Sequence, residues 1–401
     1  MSKIRAVLAR VGIYVLCFFD YGVRSYGALI FAVVILISLL CLSRSSWALL
    51  KPFVPLWLVT SAYIALSFAH ILPPAWTVLY EPEAILRQSL WVFELPLIIN
   101  LASCYLSLAL KGHATREFVI VTVLLLANFC ISGILVADWT YSQWSYGPFG
   151  YLWAPLSIYL IVAGWGAFIE PRRLIVVLFL IQAIAATLLA DGSQTQLAYL
   201  TFAAVIVFRK LGRHVATAAM IGLLGLIVSG YAWAWIDPSA VTLRDAAIRA
   251  LMAKNAFYAA EQTSFVGVGF GTESLQNYYP EIGVQSFNSL DESFVLIGTH
   301  NVFFDILMRM GVLGLAAFLW ALFSLGYPAG GSERISSYRK LLFAIMVLNL
   351  SVNVALQSPF HMGGVAVMLA ASFVVSQRPQ LRSAPSRSAS RRIEAVGLLP
   401  V

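Results

Sequence analysis

Charge is what this chain has least of. Only 11% of its 401 residues are Asp, Glu, Lys or Arg, and 60% are hydrophobic; a soluble globular domain carries about 25% charged residues. That shortage excludes a water-soluble fold. Apolar runs of membrane-spanning length recur from end to end, as in a polytopic helical membrane protein. The bilayer interior offers the backbone no hydrogen bonds, so a bundle of helices, each satisfying its own, is the expected form.

Cysteine and histidine are scarce as well. The four cysteines, Cys17, Cys41, Cys104 and Cys130, all lie inside apolar runs. That placement gives neither a disulfide framework nor a CxxC metal site, and it reads as small apolar packing residues. The five histidines, His70, His113, His214, His300 and His361, are too scattered for a metal-ligand motif, so no metal and no cofactor are expected. Gly267-Val268-Gly269-Phe270-Gly271 follows no strand and opens no βαβ unit, which removes a dinucleotide fingerprint. No internal repeat and no second soluble domain are visible. The first apolar run, behind Lys3, Arg5 and Arg10, ends at Phe18-Phe19-Asp20-Tyr21 without a small-x-small cleavage site, and it reads as a membrane helix rather than a signal peptide.

What is present is an all-α pattern. The runs predict a polytopic transmembrane bundle of twelve helices at about 8–22, 26–43, 52–71, 89–110, 117–137, 150–169, 173–190, 194–208, 215–236, 301–326, 339–356 and 361–377. The net charge of +8 suggests nucleic acid only until its placement is considered. With the first end cytoplasmic, twenty of the 26 basic residues fall on the cytoplasmic side. The other six, Arg24, Arg87, Arg244, Arg249, Lys254 and Arg309, fall outside or within the membrane. This asymmetry is a topology signal, with both termini cytoplasmic, and not a nucleic-acid patch. The chain divides into membrane helices over 1–236, one long outward loop containing short helices over 237–300, three further membrane helices over 301–377, and a Ser-, Arg- and Pro-rich cytoplasmic tail over 378–401 that reads as disordered. In a Gram-negative inner membrane the long loop is periplasmic. Two smaller outer loops, about 72–88 and 138–149, are rich in Trp, Tyr and Pro, as interfacial elements are.

The outward loop holds the chemistry. From Val241 to Tyr258 the spaced apolar residues Leu243, Ile248, Leu251 and Met252 predict a helix lying along the membrane surface. Arg244 and Arg249 lie on it. Their bland reading is a solvated helix with an Asp245–Arg249 pair; their sharp reading is an anion site, because guanidinium forks suit phosphate oxygens at any relevant pH. The glycines of Gly267–Gly271 would let the chain turn tightly over the bundle. His300, where the loop re-enters the membrane, is either an interfacial side chain or a general base near neutrality. Asn301 would cap the next helix or orient His300. Asp305 and Arg309, spaced i, i+4, are either an intrahelical pair or, about 12 Å below Asn301 at 1.5 Å per residue, the rim of a headgroup pocket.

The combination of an Arg-bearing helix, G-x-G-x-G, a loop, His300-Asn301 and a helix carrying Gly311-Val312-Leu313-Gly314 resembles the O-antigen ligase and O-antigen polymerase superfamily, over roughly residues 185–320 of this chain. The resemblance implies a metal-independent glycosyltransferase. Arg244 and Arg249 would hold the diphosphate of an undecaprenyl-diphosphate-linked glycan donor, and His300 would assist an acceptor hydroxyl, on a glycan, a lipid A core or a protein, in attacking the anomeric carbon. Two departures follow. Where the family often has an Arg after Ser at the outer start of an earlier helix, this chain has Gln194, which donates a hydrogen bond but brings no charge; Arg309, Lys254 or Arg87 would compensate. The second concerns the family's loop Arg: Arg244 has its local pattern, an Arg four before a bulky residue, and Arg249 its usual distance to the glycines. A twelve-helix transporter or flippase of a lipid-linked or anionic substrate shares the same plan, but the two halves of this chain show no similarity to each other.

Overall fold

A computed structural model describes residues 3–18, 27–72, 82–110, 114–135, 153–169, 172–189, 193–208, 214–236, 244–271, 301–327, 333–352 and 359–377. The described residues are predominantly helical, without strands. We number the helices α1 (Lys3–Phe18), α2 (Gly27–Leu40), α3 (Arg44–Phe68), α4 (Pro82–Ala109), α5 (Ala114–Leu135), α6 (Trp153–Gly164), α7 (Arg173–Leu189), α8 (Ser193–Phe208), α9 (His214–Ile236), α10 (Arg244–Gln262), α11 (Val302–Gly326), α12 (Glu333–Val352) and α13 (Pro359–Ser376). Each of the twelve apolar segments contains a helix, and α10 is the additional one. Among the described residues four stretches, α3, α4, His214–Trp233 of α9 and α11, are long and apolar enough to cross a membrane; five shorter apolar helices accompany them.

The bundle is built around α4. It packs on α13 most extensively, then on α3, α1 and α2, and its buried Leu95, Ile98, Leu101, Ala102 and Tyr105 share one continuous core with Val365, Ala366 and Leu369 of α13. Two-thirds of the apolar window of α4 is buried (67%), against 11% for that of α9, so α4 is an axis and α9 a peripheral helix. Helix α6 is buried along its described side chains and ends in a π-helical turn, Trp165–Ile169. There Tyr338 of α12 lies against Gly164 and donates to the Ile161 carbonyl at 2.5 Å.

Helix α4 starts earlier than its apolar run suggests. Pro82 opens it and Glu83 occupies the first turn, both favourable there because the first amides have no partner and the dipole is positive. Arg87 therefore lies on a helix, exposed, rather than in an outer loop. Helix α10 runs to Gln262, four residues beyond its expected end, and packs against α9 and α11. Residues 237–243 and 272–300 of the predicted outward loop, and the tail after residue 377, lie outside the described residues.

Candidate functional site

Helix α11 begins at a well-formed cap. Asn301 has extended backbone angles, and its Oδ1 accepts from the amides of Phe303 (3.0 Å) and Phe304 (3.2 Å), which satisfies two of the donors a helix start leaves open. Its Nδ2 donates to the Ser351 carbonyl at the end of α12, 3.0 Å away, and the Tyr231 hydroxyl of α9 donates to the same oxygen. The residue after His300 is thus fixed to α9, α11 and α12 at once. His300 itself lies outside the described residues.

Nearly three turns further on, α11 is broken. Gly311 adopts φ 60°, ψ −161°, a left-handed φ that only glycine takes without strain. The break frees backbone groups that would be costly to bury unpaired, and the turn after α10 takes them up. The amides of Val268 and Gly269 donate to the carbonyls of Met308 (2.8 Å) and Arg309 (2.9 Å), and the Val312 amide donates to the Phe265 carbonyl (3.1 Å). The glycine turn is therefore inserted into the broken helix rather than laid over the bundle. A Cβ on Gly311 would strike the carbonyls of Phe265 and Val266, and one on Gly267 would come within 2.6 Å of the Gly311 nitrogen.

The turn is also held from α3 and α4. The Tyr63 hydroxyl donates to the Val266 carbonyl; Phe270 N donates to Ser67 Oγ (2.9 Å), Gly271 N to Gln88 Oε1 (2.8 Å), and Gly267 N to Thr263 Oγ1 (3.0 Å). Every amide from Gly267 to Gly271 thus has a protein acceptor. A glycine-rich loop cradles phosphate through amides that face the ligand; these face the protein, so this motif is a clasp and not a phosphate site.

Beside the clasp lies a buried ion pair. Arg309 Nε reaches both oxygens of Asp305, at 3.1 and 3.2 Å, and its Nη1 donates to Gln88 Oε1 at 2.5 Å. The side chains of Arg309 and Asp305 are 5% and 11% exposed. Such a pair persists only when hydrogen bonds offset its desolvation, and Gln88 supplies one. Of the two roles open to Arg309 from its spacing, these contacts serve the intrahelical pair.

Helix α10 is set against this assembly by aromatic rings. Phe257 packs edge-on against Trp235 of α9 (5.5 Å between centroids) and against Phe304 of α11 (6.5 Å), and Trp235 and Phe304 are 6.1 Å apart. Small residues Ala256 and Ala259 let α10 approach Met308 and Val268. Lys254 donates to the Trp235 carbonyl near the end of α9 (3.4 Å) and lies 6.0 Å from that ring's centroid, where a cation meets both the negative end of the helix dipole and an aromatic face. Arg249 and Arg244 lie on α10 about 7.5 and 15 Å before Lys254 at 1.5 Å per residue, and Gln194 is the second residue of α8; the side chains of these three are outside the described set.

Gln88, Ser67 and Tyr63 carry much of this arrangement and were not singled out by sequence. One signal exists for two of them. Thr60, Tyr63 and Ser67 form a polar stripe at helical spacing in the apolar α3, and all three face the α11 break, Thr60 through a 3.3 Å contact to the sulfur of Met310. Gln88 has no comparable signal. No protein-family model matches the chain, and no curated protein is similar to it.

Proposed function

We propose that this protein is a membrane glycan transferase. It moves a saccharide from undecaprenyl diphosphate to an acceptor hydroxyl, as O-antigen ligases and polysaccharide polymerases do, in a bacterial inner membrane crossed twelve times with both termini cytoplasmic. The observation that carries the reading is the seating of α10 on the start of α11. The helix bearing Arg244 and Arg249 touches Phe304 through Phe257, and Phe304 follows His300 by four residues in sequence, which supports a site that draws on both elements. The arginines stabilise the charge that builds on the departing diphosphate, and His300 accepts the proton of the attacking hydroxyl. The bond formed joins the acceptor oxygen to the anomeric carbon; the bond broken joins that carbon to the diphosphate, which leaves on its lipid. No step calls for a metal or a nucleotide. Lys254 supports α10 through Trp235, and Arg87, next to Gln88 in sequence, is a further exposed cation.

A broken helix is also how many transporters build ion sites, so a transporter or flippase is the competing class. There the carbonyls freed by the break coordinate the ion; here those of Met308 and Arg309 accept from the clasp, which favours the enzyme.

The test is His300→Ala in cells lacking the native protein. Transfer of the lipid-linked glycan, followed as the loss of elongated or ligated species on a gel, is expected to cease while the protein is inserted at wild-type level. A normal glycan profile would remove His300 from the mechanism. Purified protein that moves lipid-linked saccharide across vesicles without forming a bond would replace the reading with transport.

A further inference from the structure

Gln88 stands at a junction that the chemistry above does not use. Its one side-chain oxygen, on a residue 8% exposed, accepts from two donors of different origin: the amide of Gly271, the last described residue of the clasp, and Nη1 of Arg309 on α11. It is delivered by α4, the helix around which the bundle is built. The chain that leaves at Gly271 returns at Asn301, itself bonded to the end of α12. Both points are referred to the same half-helix of α11, whose Asn301 and Arg309 are about 12 Å apart along its axis.

We propose that Gln88 is a positioning residue: by joining Gly271 to Arg309 it fixes the point from which the chain sets out toward His300, relative to the helix on which it lands. Asp305 orients the guanidinium for this, and Ser67 and Tyr63 hold the preceding residues. The anchoring part of the proposal stands on geometry alone; its kinetic part rests on the glycan-transferase reading.

The experiment uses the full-length protein in detergent, wild type beside Gln88→Met, which keeps length and removes the acceptor, and Gln88→Glu, which keeps an acceptor oxygen at the same reach. Amide hydrogen exchange over residues 267–271 is expected to accelerate about tenfold in Gln88→Met, the upper end of what loss of one neutral hydrogen bond gives, while exchange in the buried parts of α4 and α13 is unchanged. Gln88→Glu is expected to restore slow exchange. Glycan transfer from an undecaprenyl-diphosphate-linked oligosaccharide should fall in Gln88→Met and return in Gln88→Glu. Unaltered exchange at Gly271 in Gln88→Met overturns the proposal, as does acceleration that Gln88→Glu fails to reverse. Should Gln88→Met not insert, Gln88→Asn withdraws the oxygen by about 1.5 Å, one carbon–carbon bond, and is judged by the same exchange. If the wild type transfers no glycan while Gln88→Met still loosens 267–271, the anchoring stands and the enzymatic reading falls.

Discussion

Two buried carboxylate–arginine sites occupy opposite ends of α4, and they do different work with similar groups. At one end, Glu117 of α5 is fully buried; Arg10 of α1 lies 3.3 Å from Oε1, and the hydroxyls of Tyr14 (α1) and Tyr105 (α4, 3.3 Å) point at Oε2. At the other, about 25 Å along α4 at 1.5 Å per residue, Asp305 and Arg309 meet Gln88. The Glu117 site is made of side chains alone and ties three helices to one another. The Arg309 site also grips main chain, through Gly271 and the carbonyl of Arg309 itself, so it ties the bundle to a segment outside it. A buried charge is a staple when all its partners are helices, and a positioning device when one of them is a loop.

The largest effect that can break this comparison is at Glu117. Glu117→Ala strands the Arg10 guanidinium and two tyrosine hydroxyls, and removing one member of a buried pair costs about 3–5 kcal/mol. Unfolding of purified protein in an SDS titration should shift by that order, with α1, α4 and α5 loosening together. Exchange over residues 267–271 should keep its wild-type rate until the bundle itself opens. A change confined to the clasp would mean that the two ends of α4 are coupled, and the division drawn here would fail.

Gly311→Ala is the corresponding change at the other end, with a smaller global cost. The substitution forces a left-handed φ on a residue with a Cβ, worth about 1–3 kcal/mol, and aims that Cβ at two carbonyls of the clasp. The helix can relieve the strain by closing its break and expelling the turn. The expected outcome is a protein that still inserts, cleaved by protease after α10 where the wild type resists. A resistant Gly311→Ala protein would show that the turn does not need the break.

How far the sequence reached follows the same division. The all-helical character was legible because the apolar runs are longer than strands need, and α10 because its apolar positions recur at helical spacing. The start of α4 at Pro82 was obscured, since Glu83, Arg87 and Gln88 make its first two turns look like loop. The cap at Asn301 and the Asp305–Arg309 pair were readable, being local in sequence. The seat of Gly267–Gly271 was not: it depends on carbonyls freed by Gly311 and on Ser67 and Gln88, which lie some two hundred residues away. The pattern of glycines announces an unusual backbone but not what it fits against.

The smallest effect sharpens the point about glycine. Helix α9 also carries Gly222, Gly225 and Gly230, and a Cβ built on any of them meets nothing within 4 Å. Their spacing in an apolar helix looks as purposeful as that of the clasp, yet the described structure gives them no tight approach to protect. Gly225→Ala should therefore leave stability unchanged or raise it by about 0.5 kcal/mol through helix propensity, measured in the same SDS titration. A loss as large as that of Gly311→Ala would show that the exposed side of α9 is covered in the working protein, and that its glycines, like those of the clasp, exist to admit something.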